Sequence, residues 1–152
     1  MANNFVWANA TTLNGTLWDS GTILSAVPIT QIGTLAVKRN RVGADKVLDA
    51  QLNNTGNIVA NFDANFVDNT LVAFADGAIL NNFNNFELQS GTFENVKGGG
   101  IGSFNNSGTL RKTTTGNGGF EVAFNNTGTV NVESGILGRL WKTPPSCVRM
   151  AL

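Results

Sequence analysis

The sequence predicts an all-β chain wound into a single-stranded, right-handed parallel β-helix, a β-solenoid with coils of about 20 residues. Three observations lead to this fold class. A seven-residue motif returns after 20 residues, short alternating segments are separated by turn residues, and no long segment has apolar residues at helical spacing. The 22 asparagines, 16 threonines and 18 glycines supply turns and polar surface in a chain with little charge.

The repeated motif is Phe-Asn-Asn-Ser-Gly-Thr-Leu at residues 104–110 and Phe-Asn-Asn-Thr-Gly-Thr-Val at residues 124–130, with a looser copy at residues 52–58. A unit that recurs at a fixed period must stack on its neighbours to bury its apolar face. We expect the asparagines to stack at the corners, where a side-chain amide can bond the backbone of the next coil. The structural residues of the motif are Asn105, Asn106, Gly108, Asn125, Asn126 and Gly128.

Strands are predicted where apolar and polar residues alternate, because period two places one set of side chains on one face. Residues 33–37, 86–89, 120–124 and 128–133 show this alternation. Four phenylalanines, separated by 21, 21 and 20 residues, give the period independently. We expect them to form an inward ladder: Phe62, Phe83, Phe104 and Phe124.

A second motif places Ser-Gly between two apolar strand residues at residues 18–23, 88–93 and 132–137. One strand ends there, the chain turns a corner, and the next strand begins. Gly21, Gly91 and Gly135 are therefore predicted corner residues. An antiparallel β-sandwich remains the alternative, although hairpins would favour tight two-residue turns between strands of equal length.

The repeat domain is predicted to span residues 1–137, with an irregular coil or longer loop over residues 26–50. That segment carries Pro28 and a loose basic cluster, Lys38, Arg39, Arg41 and Lys46, which we expect in a solvated loop. Residues 138–152 lack asparagine and strand alternation and contain a proline pair. They form either a non-repeat cap or a tail produced by truncation or a change of reading frame.

Ten basic and ten acidic residues cancel, which argues against a nucleic-acid partner, since phosphates are neutralised by lysine and arginine. No transmembrane run occurs, so membrane insertion is not expected. The single cysteine, Cys147, allows no disulfide within the chain. The first residues show no features of a signal peptide, so the protein is either cytoplasmic or carries an export signal outside this chain.

The absence of histidine removes Ser-His-Asp and Cys-His nucleophilic sites and most zinc sites. Asp63, Asp68 and Asp76 show no paired spacing and are interpreted as solvated turn acids. Residues 98–104 match a calcium-binding glycine nonapeptide except that Phe104 stands in place of the liganding aspartate. We therefore expect no catalytic residues, no cofactor and no bound metal.

Residues 52–137 resemble the Asn/Gly-rich repeats of bacterial secreted surface proteins, the adhesin-like and autotransporter-passenger-like chains with a pectin-lyase-like right-handed parallel β-helix. The resemblance implies export to the cell surface or the extracellular space, and a structural or adhesive role. The partners that it implies are surface glycans or other surface proteins, and it implies no cofactor. Similar folds also carry polysaccharide hydrolases and lyases, so a carbohydrate-active domain is one alternative. A solenoid that binds ice or another surface is a second alternative.

Overall fold

A computed structural model describes residues 12–39, 46–62, 70–96, 100–142 and 146–151. In these ranges every regular element is a strand. The strands are short because turn residues interrupt the chain every few positions. They are β1 (Thr12–Leu13), β2 (Leu17–Trp18), β3 (Gly21–Leu24), β4 (Ile29–Gln31), β5 (Thr34–Arg39), β6 (Lys46–Asp49), β7 (Gln51–Asn54), β8 (Asn57–Phe62), β9 (Thr70–Phe74), β10 (Ile79–Asn82), β11 (Asn85–Leu88), β12 (Gly91–Asn95), β13 (Ser103–Asn106), β14 (Thr109–Lys112), β15 (Asn117–Glu121), β16 (Ala123–Asn126), β17 (Thr129–Val132), β18 (Ile136–Lys142) and β19 (Ser146–Ala151).

The strands form three parallel sheets, and each sheet takes every third strand of the chain. The first sheet has the order β1-β4-β7-β10-β13-β16, and the second has the order β2-β5-β8-β11-β14-β17. The third sheet runs β3-β6-β9-β12-β15-β18-β19, and only its last pair, β18 with β19, is antiparallel. The fold is thus a right-handed parallel β-helix, and the antiparallel sandwich is wrong.

The length of a coil varies along the solenoid. The inner asparagines of successive coils are 28, 24 and 20 residues apart, from Asn54 to Asn82, Asn106 and Asn126. The longer coils carry additional residues between β8 and β9 and between β12 and β13. The parallel pairs keep a continuous register except where β12 pairs with β9, which shifts between Thr92 and Phe93. Coil length can vary in this way because a loop can lengthen at small entropic cost.

Alternation along each strand sends one set of side chains into the space between the three sheets. The rings of Phe86 and Phe104 meet edge-on with centroids 5.0 Å apart, and those of Phe104 and Phe124 stack at 5.6 Å. Offset and edge-on aromatic contacts add to the free energy gained by burying apolar area. The buried apolar residues include Ile29, Leu52, Leu80, Phe104 and Phe124 of the first sheet, Leu35, Ile58, Phe86 and Leu110 of the second, and Leu48, Phe74, Phe93 and Phe120 of the third.

One predicted member of the phenylalanine ladder faces solvent. Phe83 is 54% exposed and lies in the turn after β10, so the expectation that it points inward is wrong. The residue that pairs with Phe104 in that coil is Leu80. A spacing of 21 residues missed it because the coil is 24 residues long there. Phe62 lies in β8, and its side chain is outside the described residues.

Two further segments differ from the sequence-based expectation. Residues 120–124 are not one strand, since β15 ends at Glu121 and β16 begins at Ala123, with the buried Val122 at the corner between them. Residues 26–50 supply β4, β5 and β6, which join the three sheets in parallel register. The C-terminal residues, expected to form a non-repeat cap or a tail, include β19, which pairs antiparallel with β18 and extends the third sheet alone.

Candidate functional site: the asparagine corner

The most regular side-chain arrangement in the molecule lies where each strand of the first sheet turns into the second sheet. We call it the asparagine corner. In four successive coils it consists of two consecutive asparagines and the two residues that follow them, at positions 53–56, 81–84, 105–108 and 125–128. The strand registers place these four segments directly above one another.

The second asparagine of each pair points inward and joins an inner ladder of amide hydrogen bonds. Asn54 Nδ2 donates to Asn82 Oδ1 at 2.7 Å, Asn82 Nδ2 donates to Asn106 Oδ1 at 2.7 Å, and Asn106 Nδ2 donates to Asn126 Oδ1 at 2.6 Å. Asn54 and Asn82 are fully buried and Asn106 is 2% exposed. Because a buried amide without partners is costly, the ladder makes each inner asparagine depend on its neighbours.

The same inner amides also bond the backbone of the following coil. The second hydrogen of Asn54 Nδ2 reaches the carbonyl oxygen of Asn85 at 2.9 Å, and Asn82 Nδ2 reaches that of Thr109 at 3.1 Å. Asn106 repeats the contact with Thr129 at 3.1 Å. These carbonyl partners fix which end of each amide is the nitrogen. The expectation that corner asparagines stack and bond the next coil is confirmed.

The first asparagine of each pair points outward and forms an outer ladder of opposite sense. Asn81 Nδ2 donates to Asn53 Oδ1 at 2.9 Å, Asn105 Nδ2 donates to Asn81 Oδ1 at 2.8 Å, and Asn125 Nδ2 donates to Asn105 Oδ1 at 2.8 Å. Here the later coil donates to the earlier one. In the inner ladder the earlier coil donates to the later one.

Where a Ser/Thr-Gly pair follows the two asparagines, its two N–H groups share one acceptor in the preceding coil. The backbone oxygen of Asn82 accepts the N–H groups of Ser107 and Gly108, both at 2.9 Å, and the Ser107 hydroxyl at 3.3 Å. The backbone oxygen of Asn106 accepts Thr127 N–H at 2.8 Å and Gly128 N–H at 3.1 Å. Serine or threonine followed by glycine therefore completes the hydrogen bonds of the corner.

Glycine is required at this corner by close approach of the backbone. A Cβ on Gly108 would overlap the carbonyl oxygen of Asn84, and a Cβ on Gly128 would overlap that of Gly108. Neither glycine has a positive φ. The Ser-Gly corners differ, because Gly21, Gly91 and Gly135 have φ values of 81°, 94° and 76°. At those corners the left-handed conformation itself selects glycine.

One copy of the corner was not predicted from the sequence. Asn81 and Asn82 follow an apolar residue as in the other copies, but Phe83 and Asn84 replace the Ser/Thr-Gly pair. Asn84 instead bonds through its side chain, since its Nδ2 donates to the carbonyl oxygen of Thr55 at 3.1 Å. The apolar-Asn-Asn tripeptide was the signal that could have located this copy.

The outward face of the second sheet carries a charged network beside the corner. Arg111 donates to both carboxylate oxygens of Glu133, at 2.8 and 3.0 Å. The hydrogen bond and charge of Glu133 raise the pKa of Arg111, and the hydrogen bond from Arg111 lowers the pKa of Glu133. One coil earlier, Glu87 accepts from Gln89 and from the Thr113 hydroxyl, both at 2.9 Å. These carboxylates are held by neighbouring side chains.

Two lysines are buried, which sequence analysis did not anticipate. Lys46, expected in a solvated loop, is 2% exposed, and its Nζ donates to the backbone oxygen of Asp19 at 3.3 Å. Lys112 is fully buried and donates to the backbone oxygens of Thr114 and, at 3.5 Å, Ser134. Burial lowers the pKa of Lys112, because desolvation disfavours the charged form.

The acids considered in the sequence analysis form no cluster in the described structure. Asp76 is exposed in the turn after β9, whereas Asp63 and Asp68 lie outside the described residues. Across the described ranges, no group of three or more histidine, cysteine, aspartate or glutamate side chains is placed to hold a metal ion. Nor does any helix in those ranges have the length and apolar character to cross a membrane.

Comparison with known proteins gives no assignment, since no family model, curated protein or solved structure matches this chain. The functional argument therefore depends on the asparagine corner and on the residues beside it. That arrangement binds coil to coil, and it presents polar rows of constant chemistry on the outside.

Proposed function

We propose that this chain is a non-catalytic structural or adhesive repeat segment of an exported bacterial surface protein. The observation that carries the proposal is the asparagine corner, in which the inner and outer side-chain amides of four coils form hydrogen bonds between successive coils. A rigid rod built from neutral polar repeats suits a spacer that must keep its shape outside the cell. The resemblance of residues 52–137 to surface-protein repeats supports the same role.

The state of the acidic groups also supports a role without catalysis. A general base must have a lone pair free to accept a proton, and its pKa is normally shifted toward the working pH. Glu133 is bonded by both nitrogens of Arg111, and this contact lowers its pKa. Glu87 accepts two side-chain hydrogen bonds through one oxygen, Oε1, and one of them comes from Thr113 of the next coil. Both carboxylates therefore take part in contacts between coils on the outer face.

Adhesion would use the outward rows. Asn53, Asn81, Asn105 and Asn125 repeat once per coil on the first sheet, and Thr109 pairs with Thr129 on the second. Rows spaced by about 4.8 Å and carrying both donors and acceptors suit hydroxyl-rich ligands or the polar surface of another protein. Surface glycans and other surface proteins are therefore the proposed partners.

Export is tested on intact cells of the source organism with an antibody raised against the chain. We expect the antigen to be labelled on unpermeabilised cells and to be removed by added protease, while a cytoplasmic marker survives. Antigen found only after lysis would refute export.

The carbohydrate-active alternative is tested by incubating the purified chain with acidic and neutral polysaccharides and measuring new reducing ends and unsaturated products. Sustained turnover would replace the structural role with an enzymatic one.

A further inference from the structure

The C-terminal end of the first two sheets has an edge that no described strand covers. β16 and β17 are the last strands of their sheets, whereas β18 and β19 continue only the third sheet. Burial falls at this edge. Val130 is only partly buried, while its counterpart Leu110 is fully buried, and Asn126 is exposed, while Asn106 is 2% exposed.

The two amide ladders end at this edge with complementary unused groups. Asn126 Oδ1 accepts from Asn106, but among the described residues Asn126 Nδ2 donates only to Gly128 of its own coil, at 3.2 Å. The same nitrogen in Asn106 donates to an amide oxygen and a backbone oxygen of the following coil. On the outside, Asn125 Nδ2 is bonded to Asn105, which leaves Asn125 Oδ1 as an acceptor. The edge thus offers a donor inside and an acceptor outside.

The backbone at the edge has an equally specific requirement. The carbonyl oxygen of Asn106 accepts two consecutive N–H groups, those of Thr127 and Gly128, and the carbonyl oxygen of Asn82 accepts two in the same way. The Asn126 carbonyl occupies the same position in the last coil. A partner with a Ser/Thr-Gly pair supplies two consecutive N–H groups, and its glycine avoids the backbone overlap that a Cβ would meet at Gly128.

We propose that this edge binds an Asn-Asn-[Ser/Thr]-Gly segment of another chain, which adds to β16 and β17 as one further parallel coil. The first asparagine of the segment donates to Asn125 Oδ1. Its second asparagine accepts from Asn126 Nδ2, and its Ser/Thr-Gly pair bonds the Asn126 carbonyl. The occupant is recognised by strand addition, in which backbone bonds give affinity and side-chain positions give specificity.

A second copy of this chain fits the edge less well than such a segment. At its N-terminal end the first described strand presents Thr12 and Leu13 at the ladder positions, and leucine has no oxygen to accept from Asn126. Two copies joined through their β16 edges would place one Asn126 donor against the other. The proposal is independent of whether the chain is exported or adhesive, because it uses only the end of the solenoid.

The test uses the full chain and a labelled ten-residue peptide with the sequence of residues 103–112, Ser-Phe-Asn-Asn-Ser-Gly-Thr-Leu-Arg-Lys. Binding is measured by fluorescence anisotropy. A control peptide carries leucine in place of both asparagines and keeps the length and charge. We expect the asparagine peptide to bind at least about tenfold more tightly than the control, because it alone satisfies both ladder ends.

Two variants of the chain locate the site. Asn126→Leu should weaken binding of the asparagine peptide by about tenfold, whereas Asn81→Leu, in the middle of the outer ladder, should leave it within about twofold of wild type. Hydrogen exchange of the bound chain should slow at β16 and β17. Equal affinity for both peptides, or equal losses in the two variants, would overturn the proposal. A dimer of the chain alone that the peptide does not dissociate would assign the edge to a second copy and would also overturn it.

Discussion

Replacement of Asn82 by leucine tests whether the inner ladder stabilises the solenoid. Leucine keeps the branching of asparagine but is larger, so the change removes the hydrogen bonds and also adds volume at a fully buried position. Asn82 accepts from Asn54 at 2.7 Å and donates to Asn106 at 2.7 Å and to the backbone oxygen of Thr109 at 3.1 Å. The variant leaves one donor and two acceptors without their partner, and a buried group left in this way costs about 1–3 kcal/mol. We expect a loss of about 2–4 kcal/mol, because the apolar side chain recovers part of the cost.

Urea unfolding followed by circular dichroism measures this loss as a lower midpoint at unchanged slope. Asn126→Leu is the matched control, because Asn126 is exposed and accepts only one bond of the ladder. Its expected cost is below about 1 kcal/mol. If Asn82→Leu stays within about 0.5 kcal/mol of wild type, or costs no more than Asn126→Leu, the inner ladder does not hold the coils together.

The other predictions concern the core, a corner glycine and a buried charge. Phe104→Ala should cost about 3–5 kcal/mol in urea unfolding, whereas Phe83→Ala should cost under about 1 kcal/mol because its ring is 54% exposed; similar losses would contradict the register. Gly108→Ala should cost more than about 2 kcal/mol, because the added Cβ would overlap the preceding coil. Gly77→Ala should cost about 1–2 kcal/mol, because Gly77 has a φ of 71° but lies in open space. In thermal unfolding, Gly108→Ala should therefore have the lower midpoint of the two variants. The lowered pKa of Lys112 means that the unfolded chain binds more protons, so wild type should gain stability relative to Lys112→Met as pH rises toward about 10.4. Urea unfolding of both chains at several pH values measures this difference in stability between wild type and Lys112→Met. A difference that is constant or falls with pH would exclude a desolvated charge.

The fold class could be predicted from the sequence because residues 104–110 and 124–130, which contain the corner, are almost identical. Identical side chains at one corner can only be used together if the coils stack in register. The position of Phe83 could not be obtained from the period, because the coil lengths are 28, 24 and 20 residues. The asparagine pair of each coil was the better landmark, since the amide ladder tolerates no slip while the loops can lengthen.

The burial of Lys112 could not be predicted from the sequence for a different reason. Alternation already places it on the same inward face as Leu110, which argues against a charged side chain in that position. What permits it is a set of backbone oxygens, from Thr114 in its own coil and Ser134 in the next. Those oxygens are brought together by the stacking of two corners. No sequence pattern indicates that these two corners come together.

The opposed donor senses of the two ladders have an electrostatic consequence for the length of the rod. Each side-chain amide is a small dipole along the solenoid axis, and the inner and outer amides of one coil point in opposite directions. Their fields cancel coil by coil, as strand dipoles alternate in a sheet, instead of summing as peptide dipoles do along a helix. Lengthening such a rod by further Asn-Asn coils accumulates no axial dipole. The side-chain amides therefore build up no charge of either sign at the two ends, however many coils lie between them.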